Sequence, residues 1–191
     1  MQLVNPFSDT VKIINVLPPE EVIASDGVAD LSPASISVGD FSKQYRPRHV
    51  ATTPNASVAH VPSMETGEIA VVDLRGLRPL DINPNEDGIQ SIKLKNAAGT
   101  APADIVIHPN QKYAYVADRN KGQIFVLSIN PYSRSFNQHV STIQLSDAPN
   151  GICQMAMNSD GTRLFVTSAT SNKAGAKGFG VLTIDNERLS V

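Results

Sequence analysis

Four histidines and one cysteine are the side chains of this 191-residue sequence best suited to proton transfer, metal ligation or nucleophilic attack. Cys153 lies in "GICQMAM" and has no second cysteine for a disulfide, nor the spaced Cys or His partners of a zinc or haem site. Its apolar neighbours predict a buried small hydrophobe. His49 follows Arg48 directly after Pro47, and Asp104 and Asn150 take comparable places after Pro102 and Pro149. Brought together, an Arg, a His, an Asp and an Asn would hold a small polar ligand or a metal; held apart, they cap strand ends and bond loop backbone. His108 precedes the turn Pro109-Asn110 and reads as a turn brace, while His60 and His139 lie in strand-like segments with no identifiable partner. Asp81, Glu86 and Asp87 do not fit the spacing of an EF-hand loop, so a solvated acidic loop is expected there. Gly175 and Gly178, with Lys173 and Lys177, lack the spacing and following helix of a phosphate loop and read as a flexible connection. Asn55-Ala56-Ser57 is a glycosylation sequon, a pattern short enough to arise by chance. No nucleophile elbow, metalloprotease helix or dinucleotide fingerprint occurs.

The elements that must position these residues recur. "RPRHVATTPNASVAHVPSMETGEIAVVDL", "PADIVIHPNQKYAYVADRNKGQIFVLSI" and "APNGICQMAMNSDGTRLFVTSATSNKAGAKGFGVLTID" share one order: a proline, a short strand, a turn, a second strand, a polar loop with glycine, and a third strand. The prolines Pro47, Pro102 and Pro149 fall about 50 residues apart, close to the period of propeller blades. Proline cannot donate to a ladder and suits the start of a strand. "TPNAS", "HPNQK" and "NSDGT" supply Asn, Asp and Gly for tight reversals. Val, Ile, Phe and Tyr then fill strands buried on both faces. "GIQSIKL" and "HVSTIQL" alternate as a half-exposed fourth, outer strand would. Helical periodicity is absent, and the 13 prolines argue against long helices.

"PADIVIHPNQKYAYVAD" and "PNGICQMAMNSDGTRLFVTS" resemble the YVTN-type β-propeller repeat of surface-layer-like and lactonase-like propellers. The tetrad is Tyr115, Val116, Ala117 and Asp118 in one repeat, Phe165, Val166, Thr167 and Ser168 in the next, and His60, Val61, Pro62 and Ser63 in the first. The resemblance implies an all-β fold of four-stranded antiparallel blades. Residues 46–100 and 101–147 are expected to be complete blades and 148–191 an incomplete one. Residues 1–45 are expected to carry the end of a preceding blade, with "DTVKIINV" and "ASISVG" as its last strands, plus a linker, all within one propeller domain. A little over three blades is fewer than a closed ring holds, so the remaining blades or a protein partner are expected to cover the end faces. The insertion "RGLRPLDINPNED" is expected to project from the ring. The resemblance also implies that first strands line the central channel, which places Arg48, His49, Asp104 and Asn150 at its mouth as a candidate site for a small polar ligand. No cofactor or metal is implied.

A net charge of −2 and a pI near 6.1 leave no basic surplus for a nucleic acid partner. No apolar run is long enough for a membrane-spanning helix. Two functions from different classes stand open. The favoured expectation is a non-catalytic binding or structural scaffold, a segment of an exported, periplasmic or cell-surface protein. The alternative is a lactonase-like or metal-dependent propeller enzyme in which His49, Asp104 and Asn150 act on a small substrate.

Overall fold

Short runs of β-branched and aromatic residues, punctuated by Asn, Asp, Gly and Pro, favour short antiparallel strands. The computed structural model describes residues 2–5, 10–13, 34–38, 45–145, 151–168, 178–185 and 188–190. No α-helix occurs among them. The first sheet holds β1 (Gln2–Asn5), β2 (Thr10–Ile13) and β3 (Ala34–Ser37) in that order. The second holds β4 (Ala51–Thr52), β5 (Val58–Pro62), β6 (Glu68–Asp73), β7 (Arg78–Pro79) and β8 (Ile92–Lys93), the last two both paired with β6. β9 (Pro102–Ile107), β10 (Tyr113–Asp118), β11 (Gln123–Ser128) and β12 (Gln138–Gln144) form the third. β13 (Gln154–Met157), β14 (Arg163–Thr167), β15 (Phe179–Asp185) and β16 (Arg188–Ser190) form the fourth.

The period of two in each strand gives the second and third sheets two apolar faces, and each of these faces meets a different neighbour. Tyr115, Ala117, Ile124 and Val126 pack with Ile152, Leu164 and Val166 of the fourth sheet. Their alternates Ala114, Val116, Phe125 and Leu127 pack with Ile69 and Val71 of the second. Ala70 and Val72 turn the other way, onto Ile36 and Val38 beside the first sheet. At one edge β9 touches both β4 and β13; at the other β12 touches β8, and β3 touches β7. The sheets therefore stand side by side with inner strands together and outer strands together, which is the blade arrangement of a β-propeller. Full burial of Ile124, Phe125 and Leu127 stabilises by roughly 1.5–3 kcal/mol per side chain.

The turns between first and second strands share one hydrogen-bond pattern. The fourth turn residue donates its N–H to the carbonyl of the first: Ala56 to Thr53 at 2.8 Å, Gln111 to His108 at 2.9 Å, Gly161 to Asn158 at 3.1 Å. The third residue's side chain (Asn55, Asn110, Asp160) accepts from the fifth residue's N–H at 3.2, 2.9 and 2.9 Å. The fourth residue is left-handed in every case, with φ of 51°, 60° and 76°. Only Gly161 adopts that conformation without a Cβ penalty.

Several sequence expectations change in detail. "GIQSIKL" yields only Ile92–Lys93, because the outer strand of the second sheet is broken. β7 pairs with one end of β6 and β8 with the other, and the residues between fold into a closed excursion. Asp81 fastens its two limbs, accepting from Asn83 N at 3.0 Å and Gln90 N at 3.1 Å. That carboxylate is spent on its own loop, and Glu86 pairs with Lys93 at 3.2 Å. β1 and β16 had no counterpart in the sequence reading; β16 gives the last sheet a fourth strand. Cys153 is half-buried rather than buried, next to the exposed Gln154. The loop carrying Gly175 lies outside the described residues, as does Asn150.

Candidate active site at the inner strands

Asp104 is the third residue of β9, where the strand's alternation turns it toward the inner edge, and it is 4% exposed. A buried carboxylate needs hydrogen-bond donors or a cation, since desolvation alone would be prohibitive. It finds them on three sheets. One oxygen, Oδ1, accepts from the backbone N of its neighbour Ile105 at 3.0 Å and meets Nδ1 of His49, which precedes β4 in the second sheet. The other, Oδ2, accepts from the N of Met155 in β13 of the fourth sheet at 2.5 Å. Asp104 thus ties the inner strands of three successive sheets, and His49 stands half-exposed on its solvent side. Pro47, bridged to Ser63, fixes the approach of the chain to His49.

The pair opens on a cleft of about 300 Å³ whose other walls include Gln154, Ala156, Phe165 and Thr167. Burial lowers the His49 imidazole below its ordinary value of 6.5. An adjoining carboxylate acts in the opposite sense; burial is the stronger cause. With Nδ1 directed at Asp104, the neutral ring keeps its lone pair on Nε2 and can accept a proton there.

Behind the pair, Asp118 at the end of β10 is fully buried. Its Oδ1 accepts from Ala101 N and Asn120 N, each at 2.9 Å, and its Oδ2 from Gln123 Nε2 at 2.8 Å. Its backbone carbonyl takes Ile152 N of the next sheet at 2.8 Å. This carboxylate positions the start of β9, and hence Asp104, without reaching the cleft.

Of the sequence candidates, His49 and Asp104 are brought into contact, while Arg48 is exposed and outside the hydrogen-bonded cluster. His108 braces its turn, its Nδ1 accepting from Asn110 N at 3.1 Å. His139 proves structural: its Nδ1 accepts from Lys95 N at 2.9 Å and its Nε2 donates to Ser141 O at 2.7 Å, joining the outer strands of two sheets. Among the described residues no three His, Cys, Asp or Glu side chains converge as a metal site requires. Gln154 and Thr167 were missed from sequence; the signal for the first was a polar residue inside the apolar run "GICQMAM".

The sequence profile of the family described as "Lactonase, 7-bladed beta-propeller" matches residues 24–179, most of the chain. The chain belongs to this lactonase propeller family. Among solved structures it is similar to hydrazine synthase of Kuenenia stuttgartiensis, with a TM-score of 0.67 at 19% identity over 98% of this chain and 44% of that one. A protein from Lactobacillus plantarum gives a TM-score of 0.66 at 15% identity over 99% and 52%. A putative 6-phosphogluconolactonase from Bacteroides uniformis gives 0.60 at 14% identity over 95% and 48%. At these identities the likeness is one of fold. The chain spans about half the length of the structures it matches. No curated protein gives a significant sequence match. Family membership corrects the expectation of a non-catalytic scaffold: the lactonase-like alternative is the better supported reading.

Proposed function

We propose that the chain forms part of a hydrolase acting on a cyclic ester, with its chemistry at the His49–Asp104 pair. The observation that carries this reading is the contact between His49 Nδ1 and the buried Asp104 carboxylate in a chain of the lactonase family. Asp104 orients the imidazole and fixes its tautomer, as a carboxylate does in other acid–base pairs. A water bound at Nε2 gives up a proton to that nitrogen as its oxygen adds to the lactone carbonyl carbon. The tetrahedral oxyanion then collapses, the ring C–O bond breaks, and the departing alkoxide recovers the proton from Nε2. Gln154 and Thr167 in the cleft wall offer hydrogen bonds to a polar substrate. Arg48, exposed one position before His49 but not in the cleft wall, remains a candidate for an anionic substituent, and Asn150, outside the described residues, is a candidate on the repeat pattern alone. Two structurally similar proteins are putative 6-phosphogluconolactonases, which supports a phosphorylated sugar lactone as the substrate class.

On this reading residues 46–100, 101–147 and 148–191 are blades of one ring, Tyr115 to Asp118 is a YVTN-type segment, and further blades or a partner complete the seven. The test is hydrolysis of 6-phosphogluconolactone and gluconolactone by the ring-complete protein. His49→Gln should lower kcat by about 10²- to 10⁴-fold with little change in KM. An unchanged kcat in both His49→Gln and Asp104→Asn would remove the pair from the chemistry.

A further inference from the structure

A second cavity lies between the second and third sheets, at the end of the blades that carries the turns rather than His49. It has a volume of about 290 Å³, and Val58, Val71, Leu80, Ile129 and Phe136 give it mostly apolar walls. His60 of β5 faces it, 2% exposed, with neither ring nitrogen in a hydrogen bond. Opposite stands Asn137, 5% exposed, whose Oδ1 is also unsatisfied. The Asn137 side chain approaches the ring closely enough to favour its protonation as a hydrogen-bond partner does, but the two fall short of full hydrogen-bond geometry. A rotation that joined them would serve one ring nitrogen only, since the two diverge from opposite sides of the imidazole.

Leaving a buried donor or acceptor unsatisfied is costly, and such groups are paired in all but a few cases. Thr53, Asn55 and Ser57, which also line the cavity, bond one another across their turn, and a single water on His60 and Asn137 would leave the apolar remainder of the cavity unfilled. The volume is near the lower end for ligand pockets, which suits a molecule of about one ring. No Asp, Glu, Lys or Arg lines the cavity, so an anion or cation would be buried without a counter-charge. The neutral His60 ring presents one N–H and one lone pair, and Asn137 Oδ1 accepts. A hydroxyl pairs the ring N–H and the amide oxygen at once, accepting from the first and donating to the second.

We infer that this inter-sheet cavity binds a small neutral phenol or alcohol, whose hydroxyl accepts from His60 and donates to Asn137 Oδ1 while its apolar body lies against Val58, Val71 and Leu80. The site is independent of the lactone reading and lies at the opposite end of the blades.

The probes are phenol, toluene and benzoate, titrated into the whole chain and followed by calorimetry and by the His60 ring resonances. Phenol should bind and shift the His60 signals, toluene should bind at least tenfold more weakly, and benzoate should not bind. Leu80→Trp, which fills the cavity from its rim and leaves the polar pair in place, should abolish phenol binding. Toluene binding as well as phenol, phenol leaving the His60 resonances unmoved at saturation, or Leu80→Trp binding like the wild type would each overturn the assignment. The three-probe comparison on the wild-type chain decides the matter even where the variant fails to fold.

Discussion

Acidification is the perturbation to which the buried His60 responds most directly. Full burial pushes its imidazole down from 6.5 to about 4, since protonation would place a charge in a layer lined by Val58, Val71 and Ile129. Above pH 6.5 the ring is neutral in the folded and the unfolded chain, and it adds nothing to the pH dependence. Between pH 6.5 and about 4 the unfolded chain takes up a proton that the folded chain refuses, so stability falls as pH falls. The slope is about 1.4 kcal/mol per pH unit, giving roughly 2 kcal/mol by pH 5 and about 3 kcal/mol across the interval. Below 4 the folded ring also protonates and the loss levels off. Urea unfolding followed by far-ultraviolet circular dichroism at half-unit steps from pH 7.5 to 4.5 measures this, with His60→Leu as the reference. His49 and His139, lowered by burial, act with the same sign in the same window but are present in both proteins. Asp73, held low first by the Gly76 N–H, and Asp160, held low first by the Thr162 hydroxyl, lose their contributions only as pH falls through and below 3.8. The difference between the two proteins therefore isolates His60. Parallel stability curves for wild type and His60→Leu from pH 7 to 4.5 would refute the reasoning.

The remaining predictions concern the backbone and the inner-strand carboxylate. Gly151→Ala places a Cβ 1.8 Å from the Arg119 carbonyl oxygen at a φ of 88°, so the docking of the fourth sheet fails, and thermal unfolding should show a protein destabilised by about 3 kcal/mol or more. Gln111→Gly relieves a left-handed residue at φ 60° and should raise the urea midpoint, a gain of about 0.5 kcal/mol once the added freedom of the unfolded chain is subtracted. Asp104→Asn sets an amide donor against either His49 or the Met155 N–H and should cost about 1–3 kcal/mol in urea unfolding; an unchanged midpoint would show that Asp104 does not tie the sheets together.

The blade arrangement was legible because it rests on local signals. Alternation in "KYAYVAD" and "GQIFVLSI" set the faces, and "TPNAS", "HPNQK" and "NSDGT" set the reversals; each works within a window of a few residues. The broken outer strand of the second sheet was not legible, since "GIQSIKL" alternates as well as any strand. It fails to pair along its length because Asp81, nine positions before Gln90, folds the chain back on itself. The half-burial of Cys153 was missed for a related reason: apolar neighbours in sequence do not say which side of an inner strand borders solvent. In the candidate site, His49 and Asp104 were named from their places after repeat prolines, and Asp118 only as the end of a tetrad. Its hydrogen bonds reach Ala101 and Ile152, contacts that no linear pattern records.

The same distance argument explains why function was harder to read than fold. A polar pair such as His49–Asp104, built from residues on two different sheets, leaves no linear motif, because the sequence between them is a whole sheet whose length answers to packing and not to chemistry. What the sequence does carry is the demand each residue makes once placed. A carboxylate forced into the inner edge must collect donors, and the donors within reach are the first strands of its neighbours. The result is that Asp104 serves stability and orients His49 with one set of hydrogen bonds. His60 reaches the opposite outcome from the same strand alternation. It is turned into the layer between sheets where β5 meets no donor, and it keeps both nitrogens unsatisfied. A propeller of stacked sheets thus separates two kinds of histidine by position alone, a half-exposed one at the inner edge and a buried one between blades, and on the proposed reading only the first is open to an attacking water.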